Sequence, residues 1–192
     1  MSRVTLGDET ACGGEKMHLQ ENLDNVCAEI NKVFGAVPDR FILVDTALQR
    51  LTVMNKQNAV QEFPVSTSRF GTGNEEGSFK TPRGVHRVCE KIGAGAPAGR
   101  IFRDRIDTGE DWLIGKPGEN LILSRILRLE GLQQGVNKGK GIDSFERYIY
   151  IHGTNNEDRI GRPLSQGCVC MKNDDIIRLF DSIEEGAIVF IN

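Results

Sequence analysis

Residues 151–171 read IHGTNNEDRIGRPLSQGCVCM, in which a histidine followed by glycine precedes two closely spaced cysteines, Cys168 and Cys170. Three kinds of site can be built from such residues: a metal site, a disulfide, or a cysteine nucleophile with His152 as its base. The C-x-C spacing differs from the C-x₂₋₄-C spacing typical of structural zinc, and His18 and His86 lie in unrelated segments. We therefore expect no metal site and no cofactor.

The disulfide and the nucleophile remain as alternatives for these cysteines. A bridge between Cys168 and Cys170 would close a very small, strained ring. A long-range bridge stays open to any of the others, which are Cys12, Cys27 and Cys89. A thiol with an ordinary pKa of about 8.5 is mostly protonated at neutral pH, so a nucleophilic cysteine needs a nearby base. His152, at a strand end, and Cys168, in a glycine-flanked turn, could meet across a groove; the alternative is a buried pair that never meets.

The composition sets broad limits on fold and partners. A chain of 192 residues with 39% hydrophobic residues can form one domain with a substantial core. Its net charge of −3 does not indicate nucleic-acid binding, and no apolar run approaches the length of a membrane span. The 22 glycines favour a β-rich fold. Residues 1–20 lack the basic-then-apolar pattern of a secretory signal, so we expect a cytoplasmic protein if the chain is full length, or a cell-envelope protein if an export signal was trimmed.

Hydrophobic periodicity predicts the main elements. Apolar residues repeat at helical spacing from Lys16 to Phe34, and Gly35 stands where a helix ends. We expect this helix to pack on the main body, with partner binding as the alternative. Short β-type runs at 41–44, 51–54 and 60–65 predict an antiparallel meander, and 68–84 reads as a loop.

The C-terminal third predicts two strands and a helix. Alternation over 147–152 places Tyr148, Tyr150 and His152 on one face of a strand and two isoleucines on the other. Asn173 is suited to cap a helix that ends near Gly186. Residues 187–191, AIVFI, then form a final strand.

At this point two linked motifs resemble the YkuD family of L,D-transpeptidases. The first is His152-Gly153-Thr154; the second is Ser165-Gln166-Gly167-Cys168-Val169-x-Met171, followed by a capped helix and a terminal strand. The segment FPVSTSRFGTGNEEGSFKTPRG (63–84) is similar to that family's strand, glycine-rich loop and Thr-Pro-x-Gly segment. The likeness runs from about Phe41 to Asn192.

The resemblance implies a mainly β fold, a sandwich or barrel with an N-terminal helix and one helix after the catalytic cysteine. It divides the chain into a tail and helix (1–36) and a catalytic domain (37–192). It implies action on peptidoglycan stem tetrapeptides or muropeptides: the cysteine forms a thioester at the L,D-bond and expels the terminal D-alanine. An amine then resolves the thioester by cross-linking or exchange, or water resolves it in a carboxypeptidase reaction of muropeptide recycling.

The family pattern also implies residue roles. Cys168 is the nucleophile, His152 the base, and Gly153 orients the imidazole through its carbonyl. The N–H groups of Gly167 and Cys168 are oxyanion donors. Three further positions join the substrate-binding set: Ser165 shapes the turn, Tyr150 lines the acyl pocket or simply packs, and Gln166 precedes the Gly-Cys pair.

Two positions depart from the family's commonest pattern. Gln166 stands where histidine is usual, and Cys170 stands where arginine is usual. The second departure supports an alternative of another class, a noncatalytic module that binds stem peptides. Cys170 itself is either a small buried residue or a redox or regulatory thiol.

Overall fold

The computed structural model describes residues 23–56, 58–113 and 120–192. Its contacts divide the chain between Val37 and Pro38. In the first unit, residues 23–34 form helix α1. Gly35 follows in a left-handed conformation (φ 85°), and its N–H donates to Asn31 O at 2.8 Å, so this glycine ends the helix as expected. Residues 16–22 of the predicted helix lie outside the described residues.

The second unit is mainly β, which confirms the predicted fold class. Its described residues form one ten-stranded sheet and a helix. The strands are β1 (Arg40–Asp45), β2 (Arg50–Asn55), β3 (Asn58–Pro64), β4 (Gly84–Ile92), β5 (Arg100–Arg103), β6 (Ile106–Asp111), β7 (Ile122–Gly131), β8 (Tyr150–Gly153), β9 (Val169–Met171) and β10 (Ile188–Ile191). Helix α2 spans Asn173–Ser182, between β9 and β10.

The sheet is mixed and branches at β7. Its main order is β3-β2-β1-β10-β4-β7-β5-β6, and β8 pairs with β7 and β9. The β1-β2-β3 meander is antiparallel, as predicted, whereas β1 pairs with β10 and β8 with β9 in parallel. The C-terminal strand therefore lies between β1 and β4, inside the sheet.

Alternation along the strands builds the core. One apolar cluster joins strand residues to the buried stripe of α2 and includes Ile42, Val44, Leu51, Val53, Leu127, Leu129, Ile149, Ile151, Val169, Ile176 and Leu179. Ile149 and Ile151 both belong to it, so the predicted inner face of the 147–152 segment is confirmed. Tyr150 lies on the other face and packs with Phe102 and Ile126. Tyr148 precedes the strand in a left-handed conformation (φ 55°) and is 54% exposed.

Helix α2 begins differently from the prediction. Lys172 holds the N-cap position and no side chain caps the helix, so the predicted capping role of Asn173 is wrong. The Asn173 side chain instead turns inward, where its amide donates to Thr154 O at 3.1 Å and its oxygen accepts from Ser124 Oγ at 2.6 Å. A buried amide needs such partners, and here they bind the helix start to the His-Gly-Thr segment. The helix also ends before Gly186, at Ser182.

Candidate active site

The pairing of β8 with β9 places a histidine beside a cysteine. Parallel register sets His152 opposite Cys170, and both side chains are buried. The other edge of β9 is held by Ser66, whose backbone exchanges two hydrogen bonds with Cys170, at 2.9 and 2.8 Å. Cys170 is therefore fixed on both sides by backbone pairing.

The imidazole of His152 has a defined orientation. Its Nδ1 lies 2.8 Å from the carbonyl oxygen of Gly153, and its Nε2 lies 3.9 Å from Cys170 Sγ. Because a carbonyl can only accept, Nδ1 carries the proton and Nε2 is left as an acceptor. Burial lowers the pKa of His152 to about 4, although the Gly153 hydrogen bond opposes the shift. The ring is thus neutral at pH 7 and able to take a proton at Nε2.

Gly153 occupies a position that no larger residue could fill. A β-carbon there would lie 2.5 Å from Asn173 Oδ1 and 2.6 Å from Leu123 O, well inside van der Waals contact. The close approach sets the path of the chain immediately after His152. Glycine is therefore required here for packing, in addition to the carbonyl that meets Nδ1.

The turn of residues 165–168, which we call the nucleophile turn, is organised by Ser165. This buried side chain donates to Cys168 O at 2.5 Å and accepts from Gly167 N–H at 3.2 Å. Gly167 has φ 125°, which disfavours other residues, and a β-carbon would meet Ile149 Cδ1 at 3.3 Å. Since the Gly167 N–H already has a partner, its use as an oxyanion donor would require that bond to open. The oxyanion roles of Gly167 and Cys168 stay predictions.

The thiol of Cys168 has a backbone carbonyl as its hydrogen-bond partner. Its Sγ donates to Tyr148 O at 3.6 Å, and in the part of the chain that the structure describes no hydrogen bond joins it to His152. The side chain packs against the apolar cluster of Phe102, Ile126 and Tyr150. Burial of the sulfur raises the pKa of Cys168 to about 11, a shift opposed by a hydrogen bond from the Tyr150 backbone and by the charge of Arg147.

One of the two cysteines is thus partly exposed, and the other contacts the base. Cys170 contacts Nε2 but is 0% exposed, so a peptide carbonyl cannot reach its sulfur. Burial raises the pKa of Cys170 well above its ordinary value, and the nearby Cys168 adds to the shift. Cys168 is partly exposed and stands in an accessible turn. Of this pair, only Cys168 has exposed surface, and its assignment as nucleophile stays a prediction.

The other predicted residues lie around the same turn. The Tyr150 hydroxyl accepts from Arg105 Nη1 at 3.0 Å, and its ring packs in the cluster that borders Cys168. Gln166 is exposed at the tip of the nucleophile turn. Beside Phe102 lies a cavity of about 500 Å³, lined by residues 92–97, Arg100, Phe102 and Asp107. The cavity therefore borders the apolar cluster at Phe102.

Two residues near the thiols were not predicted from the sequence. Asn120, just before β7, hydrogen-bonds Cys170. Arg147, just before β8, is half-buried and binds carbonyls of the 73–80 loop. The sequence around these two residues does not indicate these contacts, because both join residues that are far apart in the chain.

The alternative sites have no support in the described residues. Cys27, Cys89, Cys168 and Cys170 are all free thiols. Within residues 23–56, 58–113 and 120–192, no three His, Cys, Asp or Glu side chains are grouped so that they could hold a metal ion. Among the helices in these ranges, none has both the length and the apolarity that crossing a membrane requires.

Comparison with known proteins points to one family. Residues 39–191 match the family model for YkuD, the L,D-transpeptidase catalytic domain. The chain is 27% identical over 160 residues to the probable L,D-transpeptidase ErfK/SrfK of Salmonella typhimurium, a match that covers 81% of this chain and 48% of that protein. It is 44% identical over 52 residues to the putative L,D-transpeptidase YqjB of Bacillus subtilis, covering 27% of this chain and 28% of that protein. The matches thus span less than half the length of these two relatives.

A solved structure shares the fold. A cysteine-to-serine mutant of Enterococcus faecium L,D-transpeptidase superposes with a TM-score of 0.50 at 17% identity, over 81% of this chain and 50% of that chain. Identity this low shows the fold alone. The family match, by contrast, covers most of the chain, from before β1 to the last residue of β10. The chain therefore belongs to the YkuD family of L,D-transpeptidase catalytic domains.

Proposed function

We propose that this chain is an enzyme that cleaves the L,D-peptide bond of peptidoglycan stem tetrapeptides, with Cys168 as its nucleophile and His152 as its base. One observation carries the proposal. An accessible thiol in a tight glycine turn stands near a buried, neutral imidazole whose Nδ1 is fixed by a carbonyl, so that its Nε2 is free to accept a proton. Nucleophile, base and orienting group are the parts that covalent acyl transfer requires.

The proton route needs a rearrangement of the Cys168 side chain. In the present geometry Sγ bonds Tyr148 O, and Cys170 stands at Nε2. Arrival of a peptide carbonyl at the nucleophile turn would displace the thiol from the weak 3.6 Å contact with Tyr148 O and turn it towards His152. Catalytic hydrogen bonds are often long or absent before substrate binds, so this geometry does not exclude the pair.

Acylation then follows from the chemistry of a thiolate. The Cys168 proton passes to His152 Nε2, Sγ attacks the carbonyl carbon of the L,D-bond, and the C–N bond breaks. His152 returns the proton to the departing amine, which leaves as D-alanine, while the remaining tripeptide stays bound as a thioester. A second stem's amine or a free D-amino acid gives a cross-link or an exchange product; water gives a tripeptide. The water reaction is L,D-carboxypeptidase activity.

A second function, noncatalytic binding of stem peptides, has one observation in its favour. His152 Nε2 contacts the buried Cys170 instead of the accessible Cys168. A binding module needs no aligned nucleophile and base. The two functions differ in whether any D-alanine is released.

The test is incubation of the protein with a stem tetrapeptide alone, with an added D-amino acid, and with an acceptor stem, followed by mass spectrometry. We expect loss of one alanine residue in at least one mixture, and the product formed (tripeptide, exchange product or dimer) identifies the acceptor. Cys168→Ala is the matched control and should release nothing. Binding of the tetrapeptide with no product in any mixture would favour the binding module.

A further inference from the structure

Arg147 joins the 73–80 loop to the segment that precedes β8. Its Nη1 donates to Gly73 O at 3.2 Å and to Asn74 O at 3.0 Å, and its Nη2 donates to Lys80 O at 2.6 Å. The guanidinium is half-buried. Three carbonyl acceptors from one loop match the fixed fork of guanidinium donors, so Arg147 holds both ends of this loop.

The charge of Arg147 is not cancelled by an ion pair. Carbonyl oxygens carry no net charge, and no carboxylate of the described residues lies within ion-pair distance of this guanidinium. The neighbouring Arg128 differs in this respect, because it pairs with Glu90 at 3.4 Å; it also stacks on a phenylalanine ring. Arg105 resembles Arg147, since it donates to the uncharged Tyr150 hydroxyl.

Two separate sets of contacts show that this charge lies next to the nucleophile turn. Lys80 O, which accepts from Arg147, is 3.4 Å from the position that a β-carbon on Gly167 would take. Along the chain, Arg147 precedes Tyr148, whose carbonyl accepts from Cys168 Sγ at 3.6 Å. Tyr148 holds a left-handed conformation, so the 147–148 segment is constrained on both sides of the contact.

We infer that Arg147 is a positioning residue that holds the 73–80 loop against the nucleophile turn and supplies the positive charge that favours the Cys168 thiolate. The inference deepens the proposed function and rests on its assignment of Cys168 as nucleophile. A cation without an ion-pair partner in a partly buried site favours a nearby anion more strongly than a solvated cation does. The direction agrees with the lowering effect of Arg147 on the pKa of Cys168, against the larger effect of burial.

Other titratable and charged groups also lie around Cys168 and Arg147. Cys170 follows on the same segment, and His152 lies opposite it on β8. Tyr150 packs against Cys168, with Arg105 on its hydroxyl and Arg128 near its ring system. On the loop side, Glu75 and Glu76 face Arg147 and weaken its field. Cys170, His152 and Tyr150 are neutral at pH 7, whereas the charge of Arg147 acts on Cys168 directly and lowers its pKa.

The experiment measures the reactivity of the Cys168 thiol without any peptide substrate. Iodoacetamide alkylation is followed from about pH 7 to about pH 11.5, and tandem mass spectrometry of the peptide holding Cys168 and Cys170 assigns the modified sulfur. Arg147→Met keeps an unbranched side chain but removes the charge and the donors. We expect alkylation of Cys168 in this variant to be about tenfold slower at each pH from about 8 to about 10, which is the effect of a thiol pKa raised by about one unit.

Two further variants separate charge from clamping. Arg147→Lys keeps the charge but cannot reach three carbonyls, so its alkylation rates should stay near those of the unaltered protein while hydrogen exchange of residues 73–80 becomes faster. Arg40→Met removes an exposed charge at the start of β1 and should change neither quantity. Unaltered alkylation rates in folded Arg147→Met would overturn the inference; if that variant does not fold, unaltered loop exchange in Arg147→Lys would do so. Neither result depends on D-alanine release, so failure of the proposed function is recognised separately.

Discussion

The nucleophile turn and the β8–β9 pair each contain one cysteine, and the two cysteines differ in exposure and in the partner of the thiol. In the turn, Cys168 is partly exposed and its thiol bonds a backbone carbonyl. In the strand pair, Cys170 is fully buried and its thiol contacts the imidazole of His152. The first cysteine is partly exposed and the second is not, whereas the base contacts the second thiol and makes no hydrogen bond to the first among the described residues. The difference shows that proximity to a base and access to substrate are separate requirements for a nucleophile.

The largest expected effect on activity comes from removing each of the two thiols in turn. Cys168→Ala should lower D-alanine release from a tetrapeptide by at least about 10³-fold, because loss of a nucleophile removes the covalent route. Cys170→Ala should keep much of the activity, because its sulfur cannot reach a substrate. Single-turnover release measured by mass spectrometry checks both. Loss of activity in Cys170→Ala with normal activity in Cys168→Ala would reverse the assignment.

The next effect concerns the base. His152→Gln should slow acylation at pH 7 by about 10²–10³-fold, since the thiol, with a pKa of about 11, then ionises without help. The activity of this variant should rise with pH towards that value. The unaltered protein should lose activity as pH falls towards about 4, where His152 takes up a proton. A pH–rate profile of His152→Gln that matches the unaltered one would exclude His152 as base.

The same histidine sets a pH dependence of stability. Its folded pKa of about 4 lies below the unfolded value of about 6.5, so between these values the unfolded chain binds more protons. The free energy of unfolding should therefore fall as pH drops through this window. The buried His86, also with a pKa of about 4, adds to the loss. Urea unfolding at pH 7 and at pH 5 should show it, and His152→Gln should reduce the difference between the two.

The smallest expected effect concerns the free energy of unfolding, for which Cys170 should matter more than Cys168. Cys170→Ala should lower the free energy of unfolding by about 1–2 kcal/mol, because it leaves a void in a fully buried site. Cys168→Ala should cost less than about 1 kcal/mol, because the site is partly exposed and can relax. Urea denaturation of both variants at pH 7 provides the measurement. Equal costs would mean that the nucleophile turn is as rigidly packed as the strand pair.

Local sequence signals predicted five of the ten strands in the described residues: the β1-β2-β3 meander, β8 and β10. Alternating isoleucines at 149 and 151 face the core as expected, and Ile188–Ile191 form the final strand. Asn173 shows where such signals fail. Its residue type favours a helix cap, but in the folded chain its side chain bonds the buried Ser124 and Thr154 and the partly buried Glu157 instead. A capping preference of about 1 kcal/mol is outweighed by the cost of leaving such buried groups unpaired.

The sequence by itself determined the family and the mainly β class, and it selected the two segments that we propose carry the chemistry, because periodicity and short motifs are local properties of the chain. Only the tertiary structure decided that Cys170, and not Cys168, contacts His152, and that Arg147 reaches the nucleophile turn. The first depends on the parallel register of β8 with β9, and the second on the fold of the 73–80 loop. Both contacts are set by backbone pairing and burial between residues far apart in the chain, so the spacing of residues in the sequence does not predict them.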